Sequence, residues 1–258
     1  MSQNGVDIFS WTSAWAKEIG IKFAAFETIN STNLYAKDDS SPETRPILSD
    51  RASVFAGPSL YIAKKQTAGR GRGSNTWESP EGALLASWSF SVARVPQPIF
   101  APAVGLALFK ACAETWPLVP FSLKAPNDLL IESQKTAGIL IETVETLDAT
   151  GASKECRTVI GIGMNVASAP AHIDTATCLC DHLRSPLTQA PWRAFLNSLA
   201  NHLKNAVLAG QKDQLTPETC EELKQALNLN PTLKEPITRV DELGQLHMAS
   251  GVVRWQEL

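Results

Sequence analysis

Several things are missing from this chain, and each absence narrows what it can be. No apolar run approaches the roughly 18 residues of a membrane-spanning helix, and the first residues show no basic stretch followed by an apolar one. Neither insertion nor export is marked, and a cytoplasmic location with no membrane partner is the expectation. The five cysteines are an odd number, and their spacing offers no disulfide framework for 258 residues. Cys178 and Cys180 lie near His172 and His182, but the C-x-C has no second matching pair, so no protein-ligated metal is expected. The four histidines give no Ser/His/Asp order. Excess positive charge is also absent: the net charge is −3, which argues against broad attraction to nucleic acid.

What is present concentrates between Leu60 and Phe90, around Gly69-Arg70-Gly71-Arg72-Gly73. Glycines this dense cost backbone entropy on ordering, so a folded chain keeps them where it turns tightly or approaches a ligand. Lys64, Lys65, Arg70 and Arg72 stand in a stretch with no acid as far as residue 77. Glycine-flanked amides and arginine forks together suit phosphate or carboxylate oxygens. A solvated loop or an RNA-binding tail would show the same composition, but this loop lies between two strand-like runs, 60–64 and 84–92. In the second run Leu84, Ala86, Trp88 and Phe90 alternate with smaller residues.

The rest of the chain reads as a mixture of helices and strands, long enough for one large domain and a small one. Residues 7–19 predict a short packing helix and 21–29 a strand. Asn30-Ser31-Thr32-Asn33 supplies cap residues for a helix through Tyr35. Residues 38–53 are polar, hold two prolines and predict a surface loop. An apolar helix is expected over 101–116. Short strands at 121–124 and 129–131 flank a Pro126-Asn127-Asp128 turn, and further strands are expected at 136–144 and 157–166. Pro191 opens a helix with Phe195, Leu199, Leu203 and Val207 at every fourth position, and Thr216-Pro217-Glu218 starts another.

Three ordered motifs then carry a resemblance. Gln66-Thr67-Ala68-Gly69-Arg70-Gly71-Arg72, followed by Trp77 and Ser79-Pro80-Glu81-Gly82, resembles the biotin-binding loop of biotin protein ligases. Lys124-Ala125-Pro126-Asn127-Asp128-Leu129 and Lys135-Thr136-Ala137-Gly138-Ile139-Leu140-Ile141-Glu142 are similar to that family's K-W-P-N-D-L and K-x-A-G-I-L-x-E. Gly161-Ile162-Gly163-Met164-Asn165-Val166 is similar to its G-I-G-I-N-V, and beyond these motifs Asp174-Thr175-Ala176-Thr177-Cys178-Leu179 resembles its A-T-S-L segment and is expected to open a helix. The resemblance implies an α+β fold, a largely antiparallel mixed sheet with packed helices, in a catalytic domain of residues 1–210. Residues 211–258 resemble an abbreviated version of the family's small C-terminal β-barrel. The chain before Ile21 is too short for the winged helix-turn-helix that some of these ligases carry, so no DNA binding is expected.

The same resemblance implies a reaction and assigns residues to it. Biotin would be adenylated by ATP with Mg²⁺, then passed to a lysine of a biotin carboxyl carrier protein by a cytoplasmic monomer or homodimer. Ser31, Thr32, Asn33 and Gln66 would contact biotin's bicyclic head, and Gly69, Arg70, Gly71 and Arg72 its carboxyl end. Lys124 would meet the carboxylate and α-phosphate, with Arg70 and Arg72 as the other catalytic cations. Asn127, Asp128 and Asn165 would face the nucleotide, and Mg²⁺ would be held mostly by phosphate oxygens. Two departures stand out: Ala125 where the family has Trp, and Ser74 where its loop often has glycine. A lipoate or octanoate ligase of the same fold and a noncatalytic biotin-binding regulator remain as alternatives.

Overall fold

The computed structural model describes residues 6–38, 57–147 and 153–258. The expected surface loop at 38–53 lies outside the described residues, apart from Asp38, which ends a helix. A seven-stranded sheet organises the rest, in the order β1-β2-β3-β7-β6-β5-β4. Its strands are β1 (Lys22–Ile29), β2 (Ser59–Gln66), β3 (Leu84–Val92), β4 (Phe121–Lys124), β5 (Asp128–Ile131), β6 (Gln134–Leu147) and β7 (Ser153–Met164). Only β1 and β2 run parallel; every other pair is antiparallel.

Alternation decides what each face of the sheet does. In β3, Leu84, Ala86, Trp88, Phe90 and Val92 join the main hydrophobic core, as do Ile160, Ile162 and Met164 of β7. Four helices pack into that same core: α1 (Ile8–Glu18), α3 (Phe100–Thr115), α4 (Gln189–Gly210) and α5 (Pro217–Asn228). The four-residue period of α4 does its work, because Phe195, Leu199, Leu203 and Val207 are all buried. Asp7 caps α1 by accepting from the Ser10 amide at 3.0 Å, and Thr216 caps α5 by accepting from the Thr219 amide at 3.2 Å. The opposite face carries α2 (Thr32–Asp38) and the glycine loop.

The expected helix after residue 174 is only a 3-10 turn, Leu179–His182. The preceding segment is instead drawn along β6 as an extended chain, with the Lys135 amide donating to the Thr175 carbonyl and the Thr177 amide to the Lys135 carbonyl. The C-terminal part forms a small antiparallel sheet of β8 (Arg239–Val240), β9 (Leu246–Met248) and β10 (Gly251–Val253). Ile237, Val240, Leu246 and Trp255 belong to the same core as the large sheet. Among the described residues no helix is long and apolar enough to cross a membrane.

Candidate active site

The first motif folds into a tight hairpin. Gly71 N–H donates to the Asn75 carbonyl at 2.8 Å, Asn75 N–H to Arg72 at 3.1 Å, and Trp77 N–H to Gly69 at 3.0 Å. A Cβ at Gly69 would stand 2.3 Å from the Trp77 carbonyl oxygen, so this glycine is needed for the two arms of the hairpin to meet. That explains why Gly69, expected at the carboxyl end of a ligand, does not line the cavity beside the loop, while Arg70, Gly71 and Arg72 do.

The cavity encloses about 140 Å³ and is open on one side. One end is built from α2 and its neighbours. Ser31, Thr32 and Asn33 are buried polar residues in its wall, and buried polar groups need partners. The Thr32 amide donates to Gln66 Oε1 at 2.7 Å. Ser87 Oγ lies 2.8 Å from Thr32 Oγ1 and 2.5 Å from Asn33 Oδ1. Asn33 Nδ2 donates to the Leu140 carbonyl and to Glu142 Oε2. The Asn33 amide can lie on the sheet because β7 offers no side chain there: a Cβ at Gly161 would stand 2.2 Å from Asn33 Oδ1.

The other end holds a lysine. Lys135 lines the cavity, its Nζ 2.7 Å from Asp128 Oδ1 and 5.5 Å from the centre of the Trp77 ring. Trp77 in turn lies flat over two glycines, since a Cβ on Gly163 would fall 2.4 Å from the ring and one on Gly138 3.0 Å. Arg70 pairs with Glu142 at 3.3 Å, and Lys37 meets the same carboxylate at 2.7 Å. Burial opposes ionisation of Glu142, but the hydrogen bonds from Lys37 and Asn33 and the charges of Lys37 and Arg70 outweigh it. The carboxyl is held below the ordinary glutamate range.

Lys124 does not join this cluster. It ends β4, the edge strand of the sheet, opposite Asp128 and one strand further from the cavity. Its side chain is exposed and outside the lining. Lys135, eleven residues on and within the second motif, lines the cavity where Lys124 was expected. Asn127 and Asp128 line the cavity as expected. Asn165 does not. It is a buried pin whose Nδ2 donates to the Thr177 carbonyl at 3.2 Å and whose main chain ties β7 to Thr136 and Leu179. Ala125 is 2% exposed and belongs to the main core. Trp77 and Glu142 were also missed as site-forming groups. The signal for Trp77 was the pair of glycines at 138 and 163, over which its ring lies.

A model of the biotin/lipoate A/B protein ligase family matches residues 35–165, just over half of the chain. The chain belongs to that family. Among curated members, biotin--protein ligase 1, chloroplastic, of Arabidopsis thaliana is 31% identical over 143 residues, which is 53% of this chain and 36% of the relative. Biotin--[acetyl-CoA-carboxylase] ligase of Mycobacterium tuberculosis (strain ATCC 25618 / H37Rv) is 35% identical over 129 residues, 47% of this chain and 45% of the relative. The matches thus span about a third to a half of these relatives' length. The fold of this family member is similar to that of biotin protein ligase from Aquifex aeolicus in complex with biotin and ATP. That likeness has a TM-score of 0.66 at 21% identity, over 92% of this chain and 97% of the other. The Leishmania major biotin protein ligase in complex with biotinyl-5-AMP gives 0.57 at 24% identity, over 92% and 97%.

Proposed function

We propose that this chain is an ATP-dependent biotin protein ligase that converts biotin to biotinyl-AMP and passes the biotinyl group to a lysine of a biotin carboxyl carrier protein. The observation that carries this reading is the polarity of one cavity. Neutral hydrogen-bonding groups from Ser31, Thr32, Asn33 and Gln66 form one end and Lys135, beside Trp77, the other, with Arg70 and Arg72 also in the wall. A ureido ring has both N–H donors and a carbonyl acceptor, which suit hydroxyls and amides. The acid at the far end of its aliphatic chain suits cations. Octanoate has no polar head group for the first end, and the disulfide ring of lipoate satisfies none of its donors. The polar end therefore favours biotin over those two acids of the same family.

In the first step a carboxylate oxygen of biotin attacks the α-phosphorus of ATP, and the bond to the β-phosphate breaks to release pyrophosphate. Two anions must approach one another. Lys135, Arg70 and Arg72 line the cavity, where their charges would offset that repulsion, and donors preorganised in this way each contribute roughly a hundred- to thousandfold in rate. Asp128 holds the Lys135 ammonium toward the cavity. Asp128 is also the one carboxylate among the described lining residues, so a Mg²⁺ would be held mainly by phosphate oxygens with Asp128 beside them, and would supply charge neutralisation there. In the second step the acceptor amine attacks the acyl carbon, loses its proton and displaces AMP. The protein's part is to hold the anhydride away from water. Pyrophosphate release with ATP and Mg²⁺, compared for biotin, lipoate and octanoate, tests the proposal. Release with biotin alone is expected; release with none of the three acids contradicts it and leaves the chain a noncatalytic binder.

A further inference from the structure

The C-terminal segment reaches the site through one side chain. Trp255 opens a 3-10 turn, Trp255–Glu257, which Glu257 braces by accepting from the Arg254 amide at 3.3 Å. Trp255 is 3% exposed, and a Cβ added at Gly105 of α3 would stand 3.6 Å from its ring edge. Its N–H donates to the Pro126 carbonyl at 2.8 Å, across 129 residues of sequence. A buried indole N–H is commonly paired, yet in this molecule the Nε1 atoms of Trp77 and Trp88 have no hydrogen-bond partner among the described residues. The donor of Trp255 is different in being aimed at the turn that feeds the site.

Pro126 opens the turn that carries Asn127 and Asp128 into the cavity. From the β6 side the turn is held by two hydrogen bonds with Ile139: Asn127 Nδ2 donates to its carbonyl at 3.1 Å, and its amide donates to the Asn127 carbonyl at 2.9 Å. From the other side it is held by Trp255. A second cavity of about 120 Å³ has Trp255 and Gln256 in its wall and shares Arg72, Asn127 and Ile139 with the first. A turn clamped from both sides keeps Asp128 at one height, and Asp128 in turn sets the ammonium of Lys135.

We propose that Trp255 is a positioning residue of the active site, holding the Pro126-Asn127-Asp128 turn, and through it Lys135, in the geometry that adenylation needs. The kinetic part of this inference rests on the ligase reading, whereas the restraint of the turn does not. Two replacements test it: Trp255→Phe, and tryptophan exchanged at 255 for benzothienylalanine, which keeps the bicyclic shape and removes only the N–H. The second serves if the first fails to fold. Three readouts are taken: amide hydrogen exchange at Asp128 and Ile139, the rate of biotinyl-AMP formation at saturating substrates, and the dissociation constant for biotin. Faster exchange at both amides is expected, with a rate roughly three- to tenfold lower, as for one lost hydrogen bond, and unchanged biotin affinity. A residue that only fills space would lower the unfolding temperature and leave the saturated rate and the local exchange as they were. That result overturns the proposal, as does a loss of biotin affinity equal to the loss of rate. If the parent protein forms no biotinyl-AMP, the ligase reading fails and the exchange at the two amides decides the restraint by itself.

Discussion

Ser87 and Trp88 are neighbours in β3 and face opposite ways. Trp88 is 1% exposed among the helices, edge-on to Trp15 with ring centres 5.9 Å apart. Ser87 is also fully buried, but its hydroxyl serves Thr32 and Asn33 in the cavity wall. The same division runs through β7, where Ile160 and Ile162 fill the helix side while Gly161 and Gly163 make room for Asn33 and Trp77. One face of the sheet is stabilised by size. The other is bare at Gly138, Gly161 and Gly163, so that Asn33 of α2 and Trp77 of the glycine hairpin can lie directly on the backbone.

Truncation should therefore hurt one face and addition the other. Trp88→Ala should cost about 3–5 kcal/mol of stability by leaving a cavity among the helices, read by urea unfolding, while the protein that remains folded binds biotin normally. Gly161→Ala adds one methyl where Asn33 Oδ1 already lies. It should raise the biotin dissociation constant about tenfold or more, equivalent to about 1.4 kcal/mol, with a stability loss of about 1–3 kcal/mol from overpacking. Titration calorimetry that found biotin affinity untouched in Gly161→Ala would show that the site does not need its bare sheet.

A smaller effect is expected from acid. Glu142 titrates below the ordinary glutamate value in the folded chain because Lys37, Asn33 and Arg70 favour its charged form over the cost of burial. With the folded value depressed, its contribution is fully present above the unfolded value, about 4.3, and is lost as pH falls through the folded one. Unfolding curves at pH 6, 4 and 3 should show a steeper acid loss in the parent than in Glu142→Gln. Parallel loss in both proteins would mean that this network does not stabilise the fold.

Much of this architecture was legible in the residues. The bounds of β3 agree with the alternation of Leu84, Ala86, Trp88 and Phe90, and α5 begins at Pro217 behind its Thr216 cap. Periodicity and capping are local, so they can be read locally. The polar end of the cavity was also visible, because Ser31, Thr32, Asn33 and Gln66 fall in short motifs and do line it. What could not be read was anything that depends on strand order. Lys124 and Lys135 are both motif lysines, and only the placement of β4 at the sheet edge separates them. The contact of Trp255 with Pro126 is likewise invisible to any pattern confined to neighbouring residues. The helix expected after residue 174 failed because β6 hydrogen bonds claim that segment first.

The central claim is that Lys135, beside Asp128 and Trp77, is the lysine on which adenylation depends, and that Lys124 is not. Single-turnover formation of biotinyl-AMP by Lys135→Ala and Lys124→Ala, each compared with the parent, tests it most directly. Lys135→Ala should fold normally and lose roughly a hundred- to thousandfold in rate, while Lys124→Ala should stay within about threefold of the parent. Near-parent rates in Lys135→Ala, or a collapse in Lys124→Ala alone, would contradict the account.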